Sequence, residues 1–326
     1  MPMNILLAGS FDDEAEHRQW AAALDAALRP ALPGGHRLLS ARGEVPDETI
    51  AAAIVANPPP GSLQGLPQLR LIQSLWAGVD RLLADATLPP GVPVARMVDP
   101  MMNEAMAETA LWAVLALHRG FFTYARQQAA GRWQPLAQRR ADELPVLVLG
   151  AGQMGGTVAR RLAANGYPVT VWRRQAPAAG AGQAAVNAVH EVHGPDGLGT
   201  ALAGAQVLLN LLPLTPETRG LINARLLAAL PRGAGLVNLA RGAHVLDADL
   251  LAALDAGQIG HAVLDVFSTE PLPADHRYWQ HPQVSVLPHA AAMTDARTAA
   301  AIAAANIAAL AAGRPIANLV QRATGY

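Results

Sequence analysis

The 326-residue chain is long enough for two domains, each with a full hydrophobic core. Its formal charge of −1 lacks the basic excess that nucleic-acid binding needs, and without cysteine it has neither disulfides nor thiolates for catalysis or metal binding. Alanine supplies much of the 52% hydrophobic content and charges interrupt every candidate apolar stretch, so no segment reads as membrane-spanning.

The opening, MPMNILLAGSFDDEAEHRQ, has no basic start and meets acids after one short apolar run. It is unlike a secretory or mitochondrial signal, and a cytoplasmic address is expected. Short apolar runs then alternate with helical patterns. NILLAG (Asn4 to Gly9), HRLLSA (His36 to Ala41), AAAIVA (Ala51 to Ala56), LRLIQSL (Leu69 to Leu75) and PVARMV (Pro93 to Val98) read as buried strands, and EHRQWAAALDAAL as a helix. This alternation predicts a parallel α/β layer. A long helical pattern from about Met102 to Gln128 predicts a linker between domains. A second α/β series follows in PVLVLG, YPVTVW, AQVLLNLL, AGLVNLA, GHAVLDVF and VSVLPH. Several of these runs are apolar without alternation, as strands covered on both faces should be. The pattern closes with an Ala-rich helix from Thr294 to Gly313. The expected fold is α/β, with two Rossmann-like or flavodoxin-like parallel-sheet domains.

Gly150-Ala151-Gly152-Gln153-Met154-Gly155 fits G-x-G-x-x-G, follows the strand VLVL and opens the helical stretch QMGGTVARRLAANG. That is the context a dinucleotide-binding turn requires. The first glycine permits the tight turn, the second lets the backbone approach a pyrophosphate, and the third brings helix and strand together. The helix N-terminus offers free N–H groups to the anion. At the end of the next strand, where an acid would accept bonds from the adenosine ribose, VTVWRR carries Arg173 and Arg174. A guanidinium cannot accept from a hydroxyl but pairs bidentately with a phosphate, so NADP(H) is the preferred cofactor and NAD(H) a possible one.

Further polar residues end apolar strands, where open parallel sheets place their ligands. They are Arg241 in LVNLARG, Asp265 and Glu270 in HAVLDVFSTEP, and His289 in SVLPHAAAMT. With LIQSLWAGVD, LVLGAGQMGGTVARRL, LLNLLPLTPET, LVNLARGAHVLDADLLAALDAG, LDVFSTEPLP, LPHAAA and the terminal ATGY, the chain resembles the D-isomer-specific 2-hydroxyacid dehydrogenases, and within them the glyoxylate/hydroxypyruvate reductase A branch. The resemblance implies a substrate domain of residues 1–99 plus 289–326, an inserted NAD(P)-binding domain of residues 100–288, and a cleft between them.

Carried over by resemblance, Arg241 binds the 2-keto acid, His289 is the general acid, and Glu270 orients its imidazole. Asp265 contacts the nicotinamide carboxamide. Gly150, Gly152, Gln153, Met154, Gly155, Trp172, Arg173, Arg174, Leu212, Pro213, Thr218 and Ala240 complete the cofactor set. Trp76, Ala77 and Gly78 form the substrate-carboxylate loop, with Arg241 and His289 as further substrate contacts. No metal is expected. Trp76 stands where glycine is common, and Ala56-Asn57-Pro58 where a site-lining tryptophan is common, so Trp76 is expected to narrow the pocket or stack on its mouth. Met101 and Met102 face the site or simply pack. His244 and His281 read as structural or surface residues. The implied reaction is reduction of small 2-keto acids with NADPH, by a homodimer whose contact uses the helix around LWAVLALHRGFF. An NAD(H)-using relative acting on another 2-hydroxy acid, or a dinucleotide-sensing, corepressor-like binding protein, are the alternatives.

Overall fold

The structure, a computed structural model, describes residues 2–11, 13–176, 189–322 and 325. The chain divides into two compact units, residues 1–102 with 294–326, and residues 103–293.

In the first unit, strands β1 (Met3–Gly9), β2 (His36–Leu39), β3 (Ile50–Ala56), β4 (Ile72–Ser74) and β5 (Val94–Ala95) form one parallel sheet in the order β2-β1-β3-β4-β5. This is the flavodoxin-like arrangement. Side chains alternate between faces along each strand. Ile5, Leu7, Ala52 and Ile54 therefore enter one apolar layer, and Leu6, Ala53 and Val55 the other. The first layer is closed by helix α1 (Glu14–Ala31), through Trp20, Leu24 and Leu28. Asp13 caps α1 by accepting the Glu16 N–H at 2.8 Å. A short helix, α2 (Asp80–Leu83), follows β4, and Leu82 joins the second layer.

Helix α3 (Pro100–Arg119) leads into the second unit and is followed by α4 (Phe121–Ala129). The long helical pattern is thus divided between two helices. Gly120 separates them at φ 70°, a left-handed conformation that favours glycine, and a β-carbon on it would also push against Leu136 Cδ1.

The second unit continues with β6 (Val146–Leu149), α5 (Gln153–Ala164), β7 (Val169–Arg173), β8 (Val189–His193), α6 (Gly194–Gly204) and β9 (Val207–Asn210). Next come α7 (Ala224–Ala228), β10 (Ala234–Asn238), α8 (Asp247–Asp255), β11 (Ile259–Leu264) and β12 (Val284–Val286). The sheet is parallel in the order β12-β11-β10-β9-β6-β7-β8. Counted from β6 this is the 3-2-1-4-5-6 dinucleotide order extended by one strand, with its switch point between β6 and β9. Leu147, Leu149, Leu208 and Leu236 face one apolar layer, and Val146, Val148, Leu209 and Val237 the other. β8 was not anticipated; its sequence, VHEVH, belongs to a polar edge strand with no buried residue.

Helix α9 (Ala296–Ala311) belongs to the first unit and places Ala299, Ala300, Ala303, Ala304 and Ile307 in the layer with α1. Its alanines let the two helices approach closely. No helix among the described residues is long and apolar enough to cross a membrane. Of the terminal ATGY, only Gly325 is among the described residues.

Candidate active site

The glycine loop has the shape its sequence implies. Gly150 ends β6 at φ 111°, and its N–H donates to the Trp172 carbonyl at 2.9 Å. A β-carbon on Gly155 would strike the Gly150 carbonyl, so α5 can start this close to β6 only with glycine there. A β-carbon on Gly152, by contrast, would meet nothing within 4 Å. The loop lies at the switch point, with open space above its middle glycine and a helix N-terminus behind it. These features fit a dinucleotide pyrophosphate. Gln153 is exposed and Met154 half-buried at the start of α5.

The two arginines at the end of β7 have carboxylate neighbours. Arg173 Nη2 donates to Glu191 on β8 at 3.3 Å, and Arg174 Nη1 donates to Glu217 at 3.1 Å. Glu217 also accepts from the Thr215 hydroxyl at 2.8 Å. A phosphate arriving here meets guanidiniums already paired, and it must win them from these acids.

Arg241, Asp265 and His289 follow β10, β11 and β12, at the carboxyl ends of neighbouring parallel strands. His289 Nδ1–H donates to Glu270 Oε2 at 2.8 Å. Glu270 is held in turn by the Phe267 N–H, which donates to Oε1 at 2.9 Å. His289 has φ 54°, a left-handed conformation that costs energy for a non-glycine residue. Asp265 holds it there: its carbonyl accepts the His289 N–H at 2.9 Å, and its carboxylate accepts the Ala290 and Ala291 N–H groups at 2.7 and 3.1 Å. These bonds place His289 in the second unit, although the sequence division put it at the start of the returning segment. Gly242, next to Arg241, has no room for a side chain, because a β-carbon would overlap the Phe267 backbone. The loops after β10 and β11 are thereby packed together.

The electrostatics follow from these contacts. The hydrogen bond to Glu270 raises the His289 pKa above the usual histidine value, although burial pulls the other way. Burial pushes the Glu270 carboxyl up, but the bonds from His289 and Phe267 and the charges of His289 and Arg241 outweigh it and leave it lowered. Burial raises Asp265, and the amides of Ala290 and Ala291 offset part of that. Arg241 acts on both members of the His289–Glu270 pair through its charge, and its Nη1 donates to the Ala240 carbonyl at 2.7 Å.

Several residues of the expected cofactor set have side chains that are buried or bonded within the protein. The Trp172 indole lies in the core and donates to the Gly194 carbonyl at 2.8 Å. The side chain of Trp172 is committed to that contact, and its backbone carbonyl accepts the Gly150 N–H. Leu212 and Ala240 are buried, and the buried Thr218 hydroxyl closes its own turn by donating to Pro213 O at 2.8 Å. In the first unit, the Trp76 ring packs edge-on against Trp20 with centroids 5.9 Å apart. Its bulk is engaged in that packing, and the Trp76 carbonyl accepts from Met97 N–H at 3.1 Å. Met102 is buried and Met101 exposed. His281 is structural, its Nε2 lying 3.2 Å from Asp255.

His244 is fully buried, so the surface reading fails. It joins Asn210 and Asn238, also fully buried, in a polar cluster beneath the loops that carry Pro213 and Arg241. Sequence reasoning passed over both asparagines. The available signal was an amide ending each of two otherwise apolar strands, VLLN and AGLVN.

A sequence model described as "D-isomer specific 2-hydroxyacid dehydrogenase, NAD binding domain" matches residues 111–291. A protein of Serratia proteamaculans named glyoxylate/hydroxypyruvate reductase A is 42% identical over 279 residues, covering 84% of this chain and 87% of its own. A D-isomer-specific 2-hydroxyacid dehydrogenase from Xanthobacter autotrophicus Py2, solved with NADPH and MES, superposes with a TM-score of 0.90 at 40% identity over 100% of both chains. An NADPH-dependent glyoxylate/hydroxypyruvate reductase from Sinorhizobium meliloti, solved with NADP and sulfate, gives 0.86 at 32% identity over 99% of each chain.

Proposed function

The chain belongs to the D-isomer-specific 2-hydroxyacid dehydrogenase family, and we propose that it reduces small 2-keto acids of the glyoxylate and hydroxypyruvate type to D-2-hydroxy acids with NADPH. The observation that carries this reading is the His289–Glu270 pair, 2.8 Å apart, in a unit whose switch-point loop fits a dinucleotide. The names of the relatives and the cofactors in the solved neighbours support the same substrate and cofactor class.

His289 is the proposed general acid. Its Nδ1 is committed to Glu270, so Nε2 passes the proton to the substrate's carbonyl oxygen. Glu270 orients the ring and favours its charged form. Arg241 presents its fork to the carboxylate and carbonyl oxygens and stabilises the charge that develops there. When bound, the nicotinamide supplies the hydride. Asp265 is assigned to its carboxamide. The Trp76-Ala77-Gly78 loop is assigned to the substrate carboxylate through its backbone N–H groups, that of Trp76 already donating to Ser74 Oγ at 3.0 Å, and Arg173 and Arg174 to the 2′-phosphate. Use of NADH beside NADPH is favoured by Glu191 and Glu217, since a carboxylate at this place accepts bonds from a 2′-hydroxyl. The half-exposed Trp112 and exposed Phe121 of α3 and α4 are assigned to a homodimer contact, which gel filtration checks.

The test is NADPH oxidation with glyoxylate, hydroxypyruvate, pyruvate and phenylpyruvate. Turnover should be fastest with the first two. NADPH binding without turnover on any of them would replace the enzyme by a dinucleotide-sensing binding protein.

A further inference from the structure

Two strand-end asparagines and one histidine form a chain of hydrogen bonds whose directions can be deduced. Asn210 Oδ1 accepts the Leu212 N–H at 3.2 Å, and Asn238 Oδ1 accepts the Ala240 N–H at 3.3 Å. A backbone N–H only donates, so these contacts fix which end of each amide is oxygen. Asn210 Nδ2 therefore donates twice, to Asn238 Oδ1 at 2.9 Å and to His244 Nδ1 at 3.0 Å. His244 Nδ1 must then be unprotonated, and the ring proton lies on Nε2, which donates to the Pro213 carbonyl at 3.3 Å. At the other end, Asn238 Nδ2 donates to the Arg241 carbonyl at 3.0 Å.

This chain runs from the loop after β9 to the loop after β10. The first carries Leu212 and Pro213, and the second carries Ala240 and Arg241. All three linking side chains are fully buried, so an unmet bond among them is not replaced by water. Gly242 gives the Arg241 loop its close seat on Phe267, and its carbonyl accepts the Val245 N–H at 2.9 Å, which closes the turn. The side-chain chain adds what these backbone bonds do not, a tie from the Arg241 carbonyl to the Pro213 loop.

We propose that His244 is a positioning residue: through Asn210 and Asn238 it sets the Arg241 loop in register with the Pro213 loop, and so aims the guanidinium at the keto acid. The inference rests on the proposed function and names a further residue of that site. The Nε2-protonated imidazole offers an acceptor and a donor on one rigid ring. Glutamine offers the same pair, whereas leucine offers neither.

The test compares wild type, His244→Leu and His244→Gln in hydroxypyruvate reduction, with rates normalised to sites counted by NADPH fluorescence titration. For His244→Leu, kcat/KM per folded site should fall about 10- to 100-fold, with KM for the keto acid raised, the scale of a small misplacement of a substrate-orienting group. His244→Gln should recover most of that loss. A residue that merely supports the fold would lower the melting temperature and the number of sites but leave kcat/KM per site intact. That outcome, or equal impairment in both variants, overturns the proposal. Wild-type protein without keto-acid turnover overturns the functional reading and this inference with it. Should His244→Leu not fold, a long-range ¹H–¹⁵N spectrum of histidine-labelled wild type decides: the Nε2–H tautomer supports the chain of bonds, and an Nδ1–H tautomer breaks it.

Discussion

His289 Nδ1 lies 2.8 Å from Glu270 Oε2, and Glu270 is itself fixed by the Phe267 N–H at 2.9 Å. The bond raises the imidazole pKa and so keeps the ring in its acid form to higher pH. Reduction needs that form and oxidation needs the neutral one. The two directions should therefore have opposed pH profiles, with kcat/KM for reduction falling as pH rises through the His289 pKa. In Glu270→Gln the carboxylate is lost, so the alkaline limb for reduction should move to lower pH, and the rate at neutral pH should fall by about 10- to 100-fold. Coincident profiles for the two directions, or an unmoved limb in the variant, would count against this role.

The glycines separate fold from ligand. On Gly152 a β-carbon meets nothing within 4 Å and the residue has φ −75°, so Gly152→Ala should melt like the wild type. It should nonetheless weaken NADPH binding by about 1–3 kcal/mol, because the methyl group occupies the pyrophosphate's approach. Gly155→Ala should instead destabilise the protein by about 1–3 kcal/mol or more, since its methyl group runs into the Gly150 carbonyl. Melting curves with and without NADPH distinguish the two.

Arg173→Asp removes a cation and places an acid beside Glu191. KM for NADPH should rise by about tenfold or more, the cost of losing a hydrogen bond to a charged group, while KM for NADH changes little. Equal effects on both cofactors would remove the 2′-phosphate from this place.

His261 tests the electrostatics away from the site. It is buried, stacks on Phe122 at 4.2 Å with ring planes 4° apart, and has a pKa lowered to about 4, first by burial and then by the charges of Arg126 and His281. A depressed histidine pKa means that the unfolded chain takes up the proton first. Its contribution is present in full above the unfolded value near 6.5 and is lost as pH falls from there to about 4. The loss should be on the order of 3 kcal/mol over that window. Denaturant titrations at pH 7.5 and 5 should show about 2 kcal/mol of it in the wild type, since pH 5 lies partway down the window, and a smaller drop in His261→Phe.

Much of this was legible in the sequence because it is local. VLVL followed by Gly150 to Gly155 encodes a strand, a tight turn and a helix start within a few residues. Arg241, Asp265 and His289 could be placed because apolar strands precede them. What escaped depends on distant partners or on polar residues. β8 has no apolar run, and Gly120 interrupts a helical pattern whose apolar residues continue on both sides. The partner of the Trp172 indole, the Gly194 carbonyl, lies 22 residues later and could not be read from the strand. The Asn210–His244 bond spans 34 residues, and the amide that ends VLLN marks Asn210 but not its partner.

The central claim meets its most direct measurement in NADPH-dependent hydroxypyruvate reduction by wild type and His289→Ala, with NADPH affinity measured in both. The wild type should turn over, and the variant should lose roughly two to four orders of magnitude in kcat while still binding NADPH. A variant that keeps its kcat and loses only affinity for the keto acid would contradict the account.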